Sequence, residues 1–584
     1  MSDEAQGEHV AEHDLVIRGG SVVDGTGAPA RPADVAVRGE RIVEVGRVAG
    51  AGHREVDAGG ALVTPGFVDI HTHYDGQATW AERLDPSSWH GVTTVVMGNC
   101  GVGFAPVRDA DHDRLIELME GVEDIPGAAL HEGLAWTWRS FAEYLDALAD
   151  RPHDVDFGAQ VPHGALRLHV MGERGARREA ATPGDIEAMG HLAREAVEAG
   201  ALGFTTSRTR NHRTSTGDYT PTLTAEADEL VGIATALGAS GRGVLQVVSD
   251  MADTDEEFGL LERMVAESGR PLSFSLVQSP VAPDSFRDLL ARTERANAAG
   301  LAITGQVATR AIGVLLGLQC TLNPFLANDV YREIASRPVA EQAAMLRDDA
   351  FRTRLLDEES RIDRQRLGGR VLTRFDLMFE LGDPPCYEPD PASSVAARAA
   401  SQGRTPEDLA CELLAGDGGR SFLYVPLLNH SGHGGLDDLP AMLAHEHTVP
   451  GLSDGGAHVG TICDGSFPTT LLTYWGRDRP EGRLDVPFLV QRHCRDTART
   501  VGLLDRGVLA PGYRADVNVI DFEGLGLAPP EMRYDLPAGG KRLVQRARGY
   551  VHTFVAGEET YAGGEATGAL PGRLVRGAQP APTG

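Results

Sequence analysis

Residues 65–76 read PGFVDIHTHYDG, and two histidines, His71 and His73, stand two positions apart at the end of an apolar run. In a β-strand, residues i and i+2 face the same way, so the two imidazoles are expected to project together. Paired imidazoles suit a borderline divalent cation such as Zn²⁺. The Pro-Gly turn, the apolar strand and Asp69 two residues ahead set this pair apart from two unrelated polar side chains. Cys100 follows the apolar segment GVTTVVMGN (91–99). It reads either as a further ligand, its thiol ionised by the metal, or as a buried free thiol beside a Gly-rich turn. Asp454 follows the short apolar stretch HTVPGL (447–452) and opens DGG. A carboxylate there can hold the cation, take a proton from attacking water and return it to a leaving nitrogen, or it can cap the turn. His458, four residues on, and His430 and His433 in LLNHSGHGG each read as a ligand, a substrate contact or a polar loop residue.

These residues need a scaffold that delivers side chains from many strand ends to one place. From about 63 to 504 short apolar strands alternate with helical patterns. GALGFTTS (200–207) precedes a helix over 224–239, GVLQVVSD (243–250) one over 256–269, and PLSFSLVQ (271–278) one over 285–300. Strand-then-helix repeated with short connections predicts an α/β fold, a parallel sheet closed as a (β/α)8 TIM barrel whose active site lies at the C-terminal strand ends. Arg310, after the apolar LAITGQVA (301–308), then faces the mouth as a carboxylate anchor or pairs with a neighbouring acid; Arg208, Arg210 and Tyr219 are similar substrate-side candidates. The charged and Pro-rich stretch near 338–415 reads as an insertion, either a lid or a surface excursion. Residues 14–62 and 505–576 carry β-patterns and are expected to form one small β-sandwich domain, flanked by an acidic tail at 1–13 and a short tail at 577–584.

The chain has 584 residues, 42% of them hydrophobic, enough for a large catalytic domain and a smaller one. Its net charge of −30 repels phosphate backbones and anionic lipid, so neither nucleic acid nor membrane is an expected partner. Six scattered cysteines without CxxC spacing argue against a disulfide framework. The first residues, MSDEAQGEHVAEHD, lack a basic-then-apolar leader pattern. A cytoplasmic protein acting on a small molecule, and able to form a homo-oligomer, is the resulting expectation.

The segments TPGFVDIHTH, GVTTVVMGNCGVGFAP, GALGFTTS, the SDGG turn and GVLAPGYRADVNVID together resemble the N-acyl-D-amino-acid deacylase (D-aminoacylase) branch of the amidohydrolase superfamily, over about 14–576. The resemblance implies a barrel with a small β-domain, one or two zinc ions, and amide hydrolysis by metal-activated water. By position it makes His71, His73 and Cys100 metal ligands and Asp454 the catalytic acid/base, and it matches His163 in VPHGALRLHVMG to a histidine of that branch. The branch ordinarily adds two metal-site histidines where this chain reads VLQVVSD (244–250) and LSFSLVQSP (272–280). Gln246 and Gln278 stand near those positions and are read as substrate- or water-orienting groups. His430, His433 or His458 are the candidates to replace the absent histidines.

The leading expectation is therefore hydrolysis of a non-peptide C–N bond, most simply in an N-acyl amino acid. A cyclic amide or imide hydrolase, or a deaminase, is the alternative on the same barrel. A non-catalytic homologue serving as a binding or assembly subunit is the alternative of a different class.

Overall fold

The computed structural model describes residues 11–358, 361–362 and 367–583. Residues 1–10 of the expected acidic tail, 359–360 and 363–366 of the expected insertion, and 584 lie outside that description.

Parallel strands run through the middle of the chain: β1 (Phe67–Asp69), β2 (Val92–Met97), β3 (Asp156–Ala159 with Val161–Pro162), β4 (Gly203–Arg208), β5 (Val244–Ser249), β6 (Leu272–Ser275), β7 (Ile303–Val307) and β8 (Thr448–Pro450). Each pairs with the next in parallel, β3 through its first piece with β2 and through its second with β4. Just beyond β1 and β8, Thr72 and Gly455 form a parallel bridge, so the first and last strands also meet. Every residue of β2 is buried, as expected of a parallel strand covered on both faces.

Between the strands lie α1 (His112–Glu123), α2 (Pro183–Ala199), α3 (Ala227–Ser240), α4 (Thr254–Ser268) and α5 (Ser285–Ala298). Their ends follow from local chemistry. Thr182 and Asp185 cap α2 reciprocally, with Pro183 in its first turn. Gly241 and Gly269 end α3 and α4 in the left-handed conformation that glycine adopts without strain. Most apolar side chains of these helices and strands merge in one large buried cluster.

The N- and C-terminal segments interlock in a nine-stranded sheet, where Leu62–Pro65 pairs antiparallel with Val517–Ile520 and joins the His13–Val22 meander to the late strands. Buried ion pairs tie these segments to β3: Asp156 accepts from Arg506 at 2.7 Å and from Arg514 at 3.0 Å. Between β7 and β8, Ile312–Leu316, Phe379–Glu380 and Leu423–Leu428 form a separate antiparallel sheet with its own apolar cluster, including Leu316, Ile334, Leu346 and Leu414. Among the described residues, no helix is long and apolar enough to cross a membrane.

Candidate metal centre

The ends of β1 and β8 are clipped together, and that brings the chemistry into one place. Backbone N–H of Asp454 donates to His71 O at 3.1 Å, and that of His73 to Gly455 O at 2.8 Å. Ser453 Oγ donates to buried Asp69, whose other oxygen accepts from the His71 N–H at 3.2 Å. Cys100 comes from the turn after β2, where Gly98 supplies a left-handed step and Gln246 on β5 accepts from the Cys100 N–H at 3.2 Å. Cys100, Asp454 and His458 all have positive φ, at 55°, 49° and 50°. Such non-glycine strain gathers at sites the surrounding structure over-determines.

His71 Nε2 lies 3.3 Å from Cys100 Sγ and 3.4 Å from Asp454 Oδ1, and His73 Nε2 lies 3.6 Å from the same oxygen. The ligand atoms of His71, His73 and Cys100 all fall within 4.8 Å of one another, and all three residues are buried. Two donors about 2.1 Å from a common tetrahedral ion stand about 3.4 Å apart. Both nitrogens of His73, and Oδ1 of Asp454, are buried without a hydrogen-bond partner. Unpaired buried polar atoms are costly; donors that crowd at ligand spacing yet make no hydrogen bonds fit a cation.

The electrostatics divide among these groups. Burial pushes His71 down to about 4, leaving its imidazole neutral, as a ligand must be. Burial opposes ionisation of Asp454, but His73, His71 and His458 outweigh it and hold the carboxyl below its usual range. His73 is also opposed by burial, yet Glu123, Asp454 and Cys100 raise it well above the ordinary imidazole value. Burial lifts the Cys100 thiol to about 12, a preference that a coordinated divalent ion would invert.

Two groups at this site escaped the sequence reading. Glu123, at the C-terminal end of α1, places Oε1 3.2 Å from His73 Nδ1 and Oε2 3.5 Å from His458 Nε2. It lies on the buried face of an amphipathic helix with Ile116 and Met119, and an acid at that position is the signal that could have found it. His212 sits in the loop after β4, with Nδ1 2.9 Å from Ser207 Oγ. Burial first, then the neighbouring His458 and His73, drive it down to about 3. Nothing in the spacing of that polar loop marks it.

The remaining expected residues divide. His458 joins the centre, 3.8 Å from Asp454 Oδ2. His430 does not: its Nδ1 accepts from the N–H groups of Gly432 and Gly434, folding it into its own loop, and His433 is exposed. Arg310 is buried and paired with Asp464 at 2.8 Å, its guanidinium 3.6 Å from the Tyr387 ring centroid. Asp464 is thus the neighbouring acid with which Arg310 pairs. His163 is also occupied, by Thr206 at 2.8 Å and Glu229 at 2.9 Å. Gln278 donates to Asp438 and to Pro283 O, tying two loops together. Tyr219 is half-buried under Arg213, Arg208 pairs with Glu257, and Arg210 is exposed.

Comparison with known proteins shows what this chain is similar to. A family model described as the amidohydrolase family matches residues 54–361 and 412–561. A D-aminoacylase of Alcaligenes xylosoxydans xylosoxydans is 36% identical over 229 residues, 39% of this chain and 43% of the relative. The chain thus matches under half the length of that curated relative. An uncharacterized protein of Mycobacterium tuberculosis is 28% identical over 88% of this chain and 85% of its own. A solved D-aminoacylase structure, described by its binuclear metal centre, superposes with a TM-score of 0.65 at 25% identity, covering 97% of this chain and 100% of that one.

Proposed function

We propose, because this chain belongs to the amidohydrolase family and to its D-aminoacylase branch, that it is a metal-dependent hydrolase of a non-peptide C–N bond, with an N-acyl amino acid as the simplest substrate. The observation that carries the reading is the convergence of His71, His73, Cys100 and Asp454 at 3.3 to 3.6 Å, with both His73 nitrogens and Asp454 Oδ1 buried and free of hydrogen bonds. The strand order and the Thr72–Gly455 bridge support closure as a (β/α)8 barrel, with the centre at its C-terminal mouth. The shared sheet of the terminal segments supports a small β-sandwich domain beside it.

His71 Nε2, His73 Nε2, Cys100 Sγ and Asp454 Oδ1 would hold the cation, and the N, S and O donor set suits Zn²⁺. A divalent cation there supplies positive charge that acidifies water and polarises an amide carbonyl. Asp454, kept ionised by its histidine neighbours, takes the proton of the attacking water as the C–O bond forms. It delivers that proton to the leaving nitrogen as the C–N bond breaks, yielding a carboxylate and an amine. Gln306 holds the His71 ring through Nδ1 at 2.7 Å and is itself anchored on Ser273 at 2.9 Å. Asp69 and Ser453 hold the strand ends that carry His71 and Asp454.

The test is amine release from a panel of N-acyl D- and L-amino acids, run beside cyclic imides with zinc-loaded protein. Turnover of acyl amino acids is expected. Uniform inactivity on them, with turnover of the imides, would reject the substrate class and keep the hydrolase. Inactivity on both, with no metal bound, would reject the enzyme.

A further inference from the structure

The loop after β4 is fastened on both sides of His212. Ahead of it, Thr209 Oγ1 donates to one oxygen of Asp250, just beyond β5, and the Arg210 N–H donates to the other at 2.8 Å. Behind it, Arg213 donates to Gly217 O at 2.9 Å and lays its guanidinium over the Tyr219 ring. The imidazole itself is held by Ser207 near the end of β4, whose Oγ lies 2.9 Å from His212 Nδ1. Ser207 is 1% exposed, and its hydroxyl makes no other hydrogen bond among the described residues. A buried hydroxyl hydrogen without an acceptor is costly, so it points to Nδ1, and the one proton of the neutral imidazole sits on Nε2. That Nε2–H has no partner among the described residues, and the half-buried ring does not close it off from solvent.

The end of β4 lies directly against the turn that carries Cys100: a side chain at Gly101 would meet the Ser207 backbone N at 3.1 Å. The side chains of His71 and His73 are 1% exposed, whereas those of Asp454 and His458 are 17% and 24% exposed. Access to the centre therefore lies on the Asp454 and His458 side. Burial drives the His212 ring down to about 3, and the charges of His458, His73, Asp454 and His71 act on it too, which places it beside the centre on that open side. A ring held neutral suits a fixed hydrogen-bond donor rather than a proton carrier.

We propose that His212 is a catalytic residue whose Nε2–H donates to the carbonyl oxygen of the amide substrate and stabilises the negative charge that gathers there as water adds. The role rests on the hydrolase reading given above. No proton is transferred: the hydrogen stays on Nε2, and the bond strengthens as the carbonyl carbon becomes tetrahedral. Asp454 keeps the proton traffic, and Ser207 is a positioning residue that fixes the tautomer.

The test compares zinc-loaded wild type with His212→Leu and His212→Gln on an N-acetyl D-amino acid, with zinc content measured in parallel. A second readout is binding of the methylphosphonamidate analogue, in which tetrahedral phosphorus replaces the carbonyl carbon. His212→Leu is expected to lower kcat about 10²- to 10³-fold and to weaken the analogue by a similar factor, with KM and zinc content little changed. His212→Gln, whose amide N–H can stand near the Nε2 position, is expected to stay within about 10-fold of wild type on both. If His212→Leu does not fold, Ser207→Ala carries the comparison, with an expected loss of about 10-fold in kcat. A folded His212→Leu that keeps the wild-type kcat and analogue affinity would overturn the donor role and leave the hydrolase standing. Equal losses in the leucine and glutamine variants would overturn it too, since ring shape and not the N–H would then matter. A wild type that hydrolyses no acyl amino acid would overturn the substrate reading and this role together.

Discussion

His71 Nδ1 donates to Gln306 Oε1 at 2.7 Å, and this one contact fixes which nitrogen of His71 is left for chemistry. With the proton on Nδ1, the Nε2 lone pair faces Cys100 and Asp454. Gln306→Ala is therefore expected to weaken Zn²⁺ binding about 10- to 100-fold, the usual cost of losing an orienting partner. A competitive chelator titration measures it. Unchanged affinity would mean the ring is set by something else.

Asp454 combines a ligand oxygen with a proton carrier. Asp454→Asn keeps a ligating oxygen and loses the basicity. Turnover should fall about 10²- to 10⁴-fold while much of the metal is retained. Rate and metal content on the same preparation check this; an unchanged rate would reduce Asp454 to a turn cap.

Arg310 was a candidate substrate anchor, and its guanidinium is buried against Asp464 at 2.8 Å. Arg310→Met leaves that aspartate buried and unpaired, which should cost about 3–5 kcal/mol in urea unfolding. A raised KM with unchanged stability would instead restore the anchor role.

Glu229 lies between His163 and Arg167. Burial opposes its ionisation, but those two partners outweigh it and lower its pKa. A depressed carboxyl pKa contributes stability in full above the unfolded value, about 4.3, and loses it as pH falls through the lower folded value. The stability advantage of wild type over Glu229→Gln should therefore shrink as unfolding is measured from neutral pH down into the acid range. A constant difference would place the effect in packing rather than charge.

The His71/His73 pair was legible because period-two geometry and a Pro-Gly turn constrain it locally, and the parallel strands were legible as apolar runs between helical patterns. Cys100 and Asp454 were legible only as strand-end residues whose competing readings stayed open. Glu123 was hidden among Glu117, Glu120 and Asp124, since a run of acids on a helix ordinarily faces water. Its buried helix face settles the matter, but only the tertiary approach of that helix end to His73, just beyond β1, and to His458 makes it a partner of the site. The Arg310–Asp464 pair joins residues 154 positions apart and depends on tertiary structure that no local pattern encodes.

The metal-dependent centre organised on His71 and His73 is best tested by metal analysis of purified protein beside His71→Ala/His73→Ala. Wild type should carry at least one equivalent of divalent metal per chain, and the folded double variant should lose that equivalent together with turnover. A double variant that keeps its metal and its rate, or a wild type that binds no metal and gains no activity on adding it, would rule that centre out.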